Sequence, residues 1–138
     1  MRIGFDFDNT IVEYKDIFYL EASKRGFPKS NVIPMKNEIR NYYINRNQED
    51  IFIELQAEVY GKAIQQASIA PGLEQLFIEL RQNGHEIFVV SHKTIYPYKG
   101  PRYNLREAAI EWVNKQLIVG EDRPIPMRNV YFEPTKEK

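Results

Sequence analysis

Two hydrophobic rhythms divide the chain. Residues 2–7 form a short, mostly apolar run that ends at Asp8-Asn9-Thr10, the pattern of a buried strand feeding a loop. From Glu13 to about Ser68 the spacing becomes helical, with no strand pattern. Ile17, Phe18, Leu20 and Ala22 predict one amphipathic helix, stopped near Gly26 and Pro28. A second starts at Pro34 and carries Met35, Ile39, Tyr42 and Tyr43 on its apolar side. A third follows Asn47, with Glu49 and Asp50 suited to a helix N-terminus and Phe52, Leu55 and Val59 before Gly61.

Strand and helix then alternate. Pro71-Gly72 opens a helix with Leu73, Leu76, Phe77 and Leu80 on one face, and Asn83-Gly84 closes it. Glu86-Ile87-Phe88-Val89-Val90 reads as a strand covered on both faces and ends at Ser91-His92-Lys93-Thr94. After a loop from Tyr96 to Tyr103, Leu105, Ala109, Trp112, Val113 and Leu117 recur at helical spacing, with Trp112 in the core. Asn129-Val130-Tyr131-Phe132 predicts a last strand before Glu133-Pro134-Thr135-Lys136. This order predicts an α/β fold: a Rossmann-like parallel sheet from residues 1–12 and 69–138, with an all-helical insertion over 13–68. Ligands of such sheets gather beyond the carboxyl ends of the strands, which brings Asp6, Asp8, Ser91, Thr135 and Lys136 to one edge.

Composition narrows the function. The 138 residues are 43% hydrophobic and 28% charged, ordinary for one domain with a real core. A formal net charge of zero supplies no long-range field for nucleic acid or an anionic membrane, so neither is an expected partner and any phosphate site is local. The absence of cysteine excludes a disulfide framework, a thiolate metal site and a cysteine nucleophile. Asp6 comes before any apolar stretch long enough for a signal peptide and no later run approaches a membrane span, so a cytoplasmic location is expected.

The chemistry concentrates at the first strand's tip. Of five aspartates, Asp6 and Asp8 stand one residue apart where an apolar run ends. Two carboxylates that close repel and lose hydration, and a divalent metal bound through oxygens relieves both costs; Asp6 and Asp8 are the expected ligands and Mg²⁺ the expected ion. With a hydroxyl and an ammonium nearby, the set suits a phosphoryl group. Asp6 would attack phosphorus, and Asp8 would protonate the departing alkoxide and then activate water. Ser91 and its neighbouring N–H groups would hold the transferring oxygens, and Lys136 would neutralise charge. Thr10, His92 and Lys93 are further candidates for contact with phosphate or substrate. Tyr96, Tyr98 and Tyr103, with Lys99 and Arg102, either line an entrance or pack a loop.

Ile3-Gly4-Phe5-Asp6-Phe7-Asp8-Asn9-Thr10 resembles the first motif of haloacid dehalogenase superfamily hydrolases, apolar residues followed by Asp-x-Asp-x-Thr. Val89-Val90-Ser91 resembles the second, and the helical block lies where such enzymes insert a cap. More narrowly, Ser91-His92-Lys93-Thr94 with Tyr96-Pro97 and residues 103–112 resembles a phosphatase-like bacterial branch of that superfamily. The resemblance implies a Mg²⁺-dependent phosphatase that forms an aspartyl-phosphate and acts on a small phosphomonoester. It makes Lys136 the candidate for the family's lysine, with Lys93 as runner-up. The fourth motif, an acidic pair after a further strand, has no counterpart; Gly120-Glu121-Asp122 matches its letters but precedes the last strand. The C-terminal core strands are therefore expected to be missing from this chain, leaving the first strand as an open sheet edge. A phosphomutase, a phosphate-binding module without turnover and, more remotely, a metal-dependent glycosyltransferase are the alternatives.

Overall fold

A computed structural model describes residues 1–97, 100–118 and 123–133. Among them are five α-helices and two small sheets. Strand β1 (Arg2–Phe5) is followed by the two-residue β2 (Val12–Glu13). Helices α1 (Lys15–Lys24), α2 (Lys36–Ile44) and α3 (Glu49–Gly61) come next, then a short 3₁₀ turn over Ala63–Gln66. The chain continues through β3 (Ser68–Ile69), α4 (Leu73–Gln82), β4 (Glu86–His92), α5 (Leu105–Gln116) and β5 (Val130–Glu133).

The main sheet is parallel, in the order β1-β4-β5. Arg2 pairs with Glu86 and Phe5 with Val89; Val89 in turn pairs with Val130 and His92 with Glu133. β1 thus lies at the edge of the described sheet. Both connections step the same way along it, and right-handed connections stepping one way keep their helices on one face. Phe77 of α4 meets Phe5 edge-on at 5.2 Å, and the fully buried Trp112 of α5 lies against Phe7, which also touches Phe132. All of these contacts fall on the face that carries Val89 and Ser91.

Gly4, Phe88, Val90 and Tyr131 line up on the opposite face. Val90 is 51% exposed and Tyr131 45%, while Phe88 is half-buried beneath the Arg2 guanidinium. The expectation that β4 is covered on both faces is therefore corrected. Its unbroken apolar run signals two-sided burial in a complete doubly wound sheet, but here the helices occupy one side.

The segment 13–68, expected to lack strands, is corrected at its margins. Val12 pairs with Ile69 and Glu13 with Ser68, so β2 and β3 form an antiparallel ribbon at the base of the helical block. The block itself forms as its pattern dictates. α1 buries Ile17, Phe18 and Ala22, α2 buries Ile39 and Tyr43, and α3 opens with Glu49 and Asp50, whose charges suit the positive end of a helix. α3 packs on α1, α2 and α5 and ends at Gly61, where a Cβ would collide with the Tyr103 side chain, leaving no room for a larger residue. One apolar cluster runs from Phe7, Trp112 and Phe132 through Ile64 and Leu55 to Phe18 and Tyr43, joining the block to the sheet layer. Among the described residues no helix is long and apolar enough to cross a membrane.

Candidate active site

β1 ends at Phe5, and the buried Phe7 pins the turn that follows. Its carbonyl accepts hydrogen bonds from the N–H groups of Thr10, Ile11 and Val12, and Asn9 takes the left-handed conformation (φ 61°) that short polar side chains tolerate best after glycine. With Phe7 inside, Asp6 and Asp8 on either side of it are directed toward the carboxyl end of the sheet.

Each carboxylate has its own partners. Asp6 Oδ1 accepts from the Phe7 N–H at 2.8 Å and from Ser91 Oγ at 2.7 Å, and Oδ2 receives no hydrogen bond from a described residue. Ser91 is buried at the end of β4, directly beside β1, so the parallel register makes this contact. Asp8 is more heavily engaged. Its Oδ1 accepts from the Tyr14 hydroxyl at 2.5 Å, and Lys93 Nζ donates to both oxygens, at 3.1 and 3.0 Å. The Lys93 side chain is only 5% exposed, and its ammonium lies 5.1 Å from the centre of the Tyr60 ring and 5.7 Å from that of Phe7. Its backbone is fixed from both sides, since its N–H donates to the Glu133 carbonyl and its own carbonyl accepts from Arg106.

A second layer of polar groups from the helical block stands beside Lys93. Lys36 Nζ donates to the Tyr60 hydroxyl at 2.7 Å and lies over the Phe18 and Tyr60 rings. Burial pushes the Lys36 ammonium below its usual range, opposed by Asp8 and reinforced by Lys93 and Arg40. Burial, then the Asp8 carboxylate, raises the phenols of Tyr14 and Tyr60 far above theirs, so both keep their hydroxyl protons across the working pH range.

No family model, curated protein or solved structure matches the chain. The chemistry of the site therefore rests on its own geometry.

Two hollows meet here. One, of about 310 Å³, is lined by Asp6, Asp8, Val90, Ser91, His92 and Glu133. The other, of about 460 Å³, shares Asp8 and His92 and extends between α3 and the loop after β4. The structure thus brings together Asp6, Asp8, Ser91, His92 and Lys93. Thr10 is exposed in the turn and lines neither hollow. Tyr96 lines the larger hollow, whereas Tyr103 donates to Glu58 and packs on Gly61. Lys136, Thr135, Tyr98, Lys99 and the 120–122 segment lie outside the described residues.

Sequence reasoning missed Tyr14, Tyr60 and Lys36. Tyr14, six residues past Asp8 at the start of α1, carried a weak signal; the other two converge only through helix packing.

Magnesium tests the donor set. Both Asp8 oxygens are taken by Lys93 and Tyr14, and among the described residues no group of three or more His, Asp or Glu side chains converges as a cage. Asp6 Oδ2 remains. Mg²⁺ is commonly held by one or two carboxylates, with water and phosphate oxygens completing the octahedron, and the residues present fit that open kind of site through Asp6 alone.

Proposed function

We propose that the chain is a haloacid dehalogenase-like phosphomonoesterase in which Asp6 accepts the phosphoryl group and the helical block over 13–68 serves as the cap. The observation that carries this reading is the divided role of the Asp6 carboxylate. Ser91 Oγ and the Phe7 N–H hold Oδ1, while Oδ2 is left for chemistry in a hollow shared with Asp8.

In the first step Asp6 Oδ2 bonds to phosphorus as the ester P–O bond breaks, and the leaving alkoxide takes a proton from Asp8. In the second, Asp8 takes a proton from water, whose oxygen bonds to phosphorus and releases phosphate and the Asp6 carboxylate. A bound Mg²⁺ would supply charge neutralisation between the Asp6 anion and the phosphoryl oxygens.

Lys93 has a specific part. An Asp8 carrying a proton has fewer acceptor sites, so the forked Lys93 contact opens as the phosphoryl group arrives and draws the ammonium to itself. Lys93 thereby fills the neutralising role for which Lys136 is the other candidate. Ser91 positions Asp6, and His92, at the wall of both hollows, is placed for contact with substrate.

Asp6→Asn is the test, in an assay of 4-nitrophenyl phosphate with Mg²⁺. Asn is isosteric and keeps the Ser91 contact but is not an anionic nucleophile, so turnover should fall by a factor of at least about 10³. Undiminished turnover rejects Asp6 as nucleophile. The second reading, a phosphate-binding module without turnover, is favoured by the commitment of both Asp8 oxygens to Lys93 and Tyr14. It would bind phosphate equally with or without Mg²⁺ and show no hydrolysis in the same assay.

A further inference from the structure

The larger hollow has a chemical character of its own. Ile53, Ala57 and Tyr60 of α3 form one wall, and Tyr96, Pro97 and Leu105 stand on the other side. Gln56 and Thr94 supply neutral polar groups. Its described charges, Asp8 and Lys93, lie at the end shared with the smaller hollow and are paired with each other. Arg102 lies over the Tyr96 ring at 4.1 Å and does not line the hollow. At about 460 Å³ the space is of the size that takes a small organic ligand.

We infer that this hollow receives the leaving group of the substrate, and that this group is an uncharged, largely apolar alcohol of one or two rings. The inference rests on the phosphomonoesterase reading for its account of turnover, and on the lining alone for its account of binding. A carboxylate or second phosphate placed here would lose its water and find no unpaired cation among the described residues. A polyhydroxylated chain would bury several hydroxyl groups where, beyond the ring-borne polar groups of Tyr60, His92 and Tyr96, only Gln56 and Thr94 offer neutral partners. A ring, by contrast, covers the apolar walls and Tyr60 and Tyr96 and brings no polar group of its own that needs a partner. Extending from the end where Asp8 would protonate its oxygen, such an alcohol would be the product released.

Calorimetric titration of the whole chain with Mg²⁺ tests this with three non-hydrolysable probes. Benzylphosphonate carries a ring, methylphosphonate none, and phosphonoacetate a second anion. Benzylphosphonate should bind at least tenfold more tightly than methylphosphonate, and phosphonoacetate no more tightly. Ile53→Trp, which fills the space from a half-buried helix position, should remove the benzyl advantage and leave methylphosphonate affinity within twofold. Ile53→Arg, an independent variant, should turn the preference toward phosphonoacetate.

Equal binding of benzyl- and methylphosphonate, equal weakening of both by Ile53→Trp, or no binding of any probe would overturn the inference. Benzyl-selective binding by a chain that hydrolyses no aryl phosphate would uphold the hollow and reject the phosphatase reading. Hydrolysis that requires Asp6 but does not discriminate among leaving groups would do the reverse.

Discussion

Replacing Asp8 by Asn measures how firmly Lys93 is held. The two groups approach to 3.0 Å, with side chains 30% and 5% exposed respectively. At an effective dielectric of about 20 the attraction at that distance is about 5 kcal/mol before desolvation is counted. The introduced amide can still accept from Tyr14 and Lys93 through its oxygen, but its NH₂ cannot accept the second Lys93 contact, so the charge and one hydrogen bond are lost. Breaking a fully buried pair costs about 3–5 kcal/mol and an exposed one under about 1. With one partner buried and the other partly wet, a cost of about 2 kcal/mol is expected, or about 6 °C in melting temperature for a chain of this size. Urea denaturation followed by the fluorescence of Trp112, the single and fully buried tryptophan, reads the change directly.

The decisive comparison is the double variant. Adding Lys93→Met removes the stranded ammonium and retains an apolar stem beside Phe7 and Tyr60, so Asp8→Asn/Lys93→Met should be at least about 1 kcal/mol more stable than Asp8→Asn alone. A single-site cost below about 0.5 kcal/mol, or strict additivity of the two changes, refutes the claim that this pair is a buried, coupled unit.

Two further outcomes check the surroundings. The folded Lys36 pKa lies below 10.5, so between the two values the unfolded chain holds the extra proton and stability from this residue rises with pH. In urea melts, wild type should therefore gain on Lys36→Met as pH approaches 10.5, and a constant difference would show that the ammonium is not desolvated. Val90→Lys, on the bare face of the sheet, should change stability by no more than about 0.5 kcal/mol and reduce self-association in light scattering, whereas a loss above about 2 kcal/mol would mean that the face is covered.

The sequence disclosed what local pattern controls. The apolar runs at 2–7, 86–90 and 129–132 and the helical spacing at 73–80 and 105–117 each yielded their element, because long periodic segments bury a consistent set of side chains. β2 and β3 escaped notice because two residues define no period; they exist only because the two ends of the helical block lie side by side. The one-sided burial of β4 was equally hidden, since Val90 differs from Val89 in what stands above the sheet and not in chemistry.

At the site, the rule that ligands collect at the carboxyl ends of parallel strands anticipated the meeting of Asp6 with Ser91. It brought Lys136 to that edge and left Lys93 as the runner-up; Lys136 lies outside the described residues. Lys93 is shown two residues beyond Ser91, buried on Asp8, a position that depends on how the loop after β4 folds back under α3. Tyr60 and Lys36 come from different helices and meet beside Lys93 only once those helices are packed, which no linear motif encodes.

The pairing of Arg2 with Glu86 sets an order for folding during synthesis. β1 leaves the ribosome before β4, its partner, which is made more than eighty residues later, so it must wait while the intervening helices appear. Those helices draw on near neighbours and so can form early, whereas distant strand pairing is slow. Until β4 arrives, Ile3 and Phe5 lack the strand that pairs with them in the finished sheet.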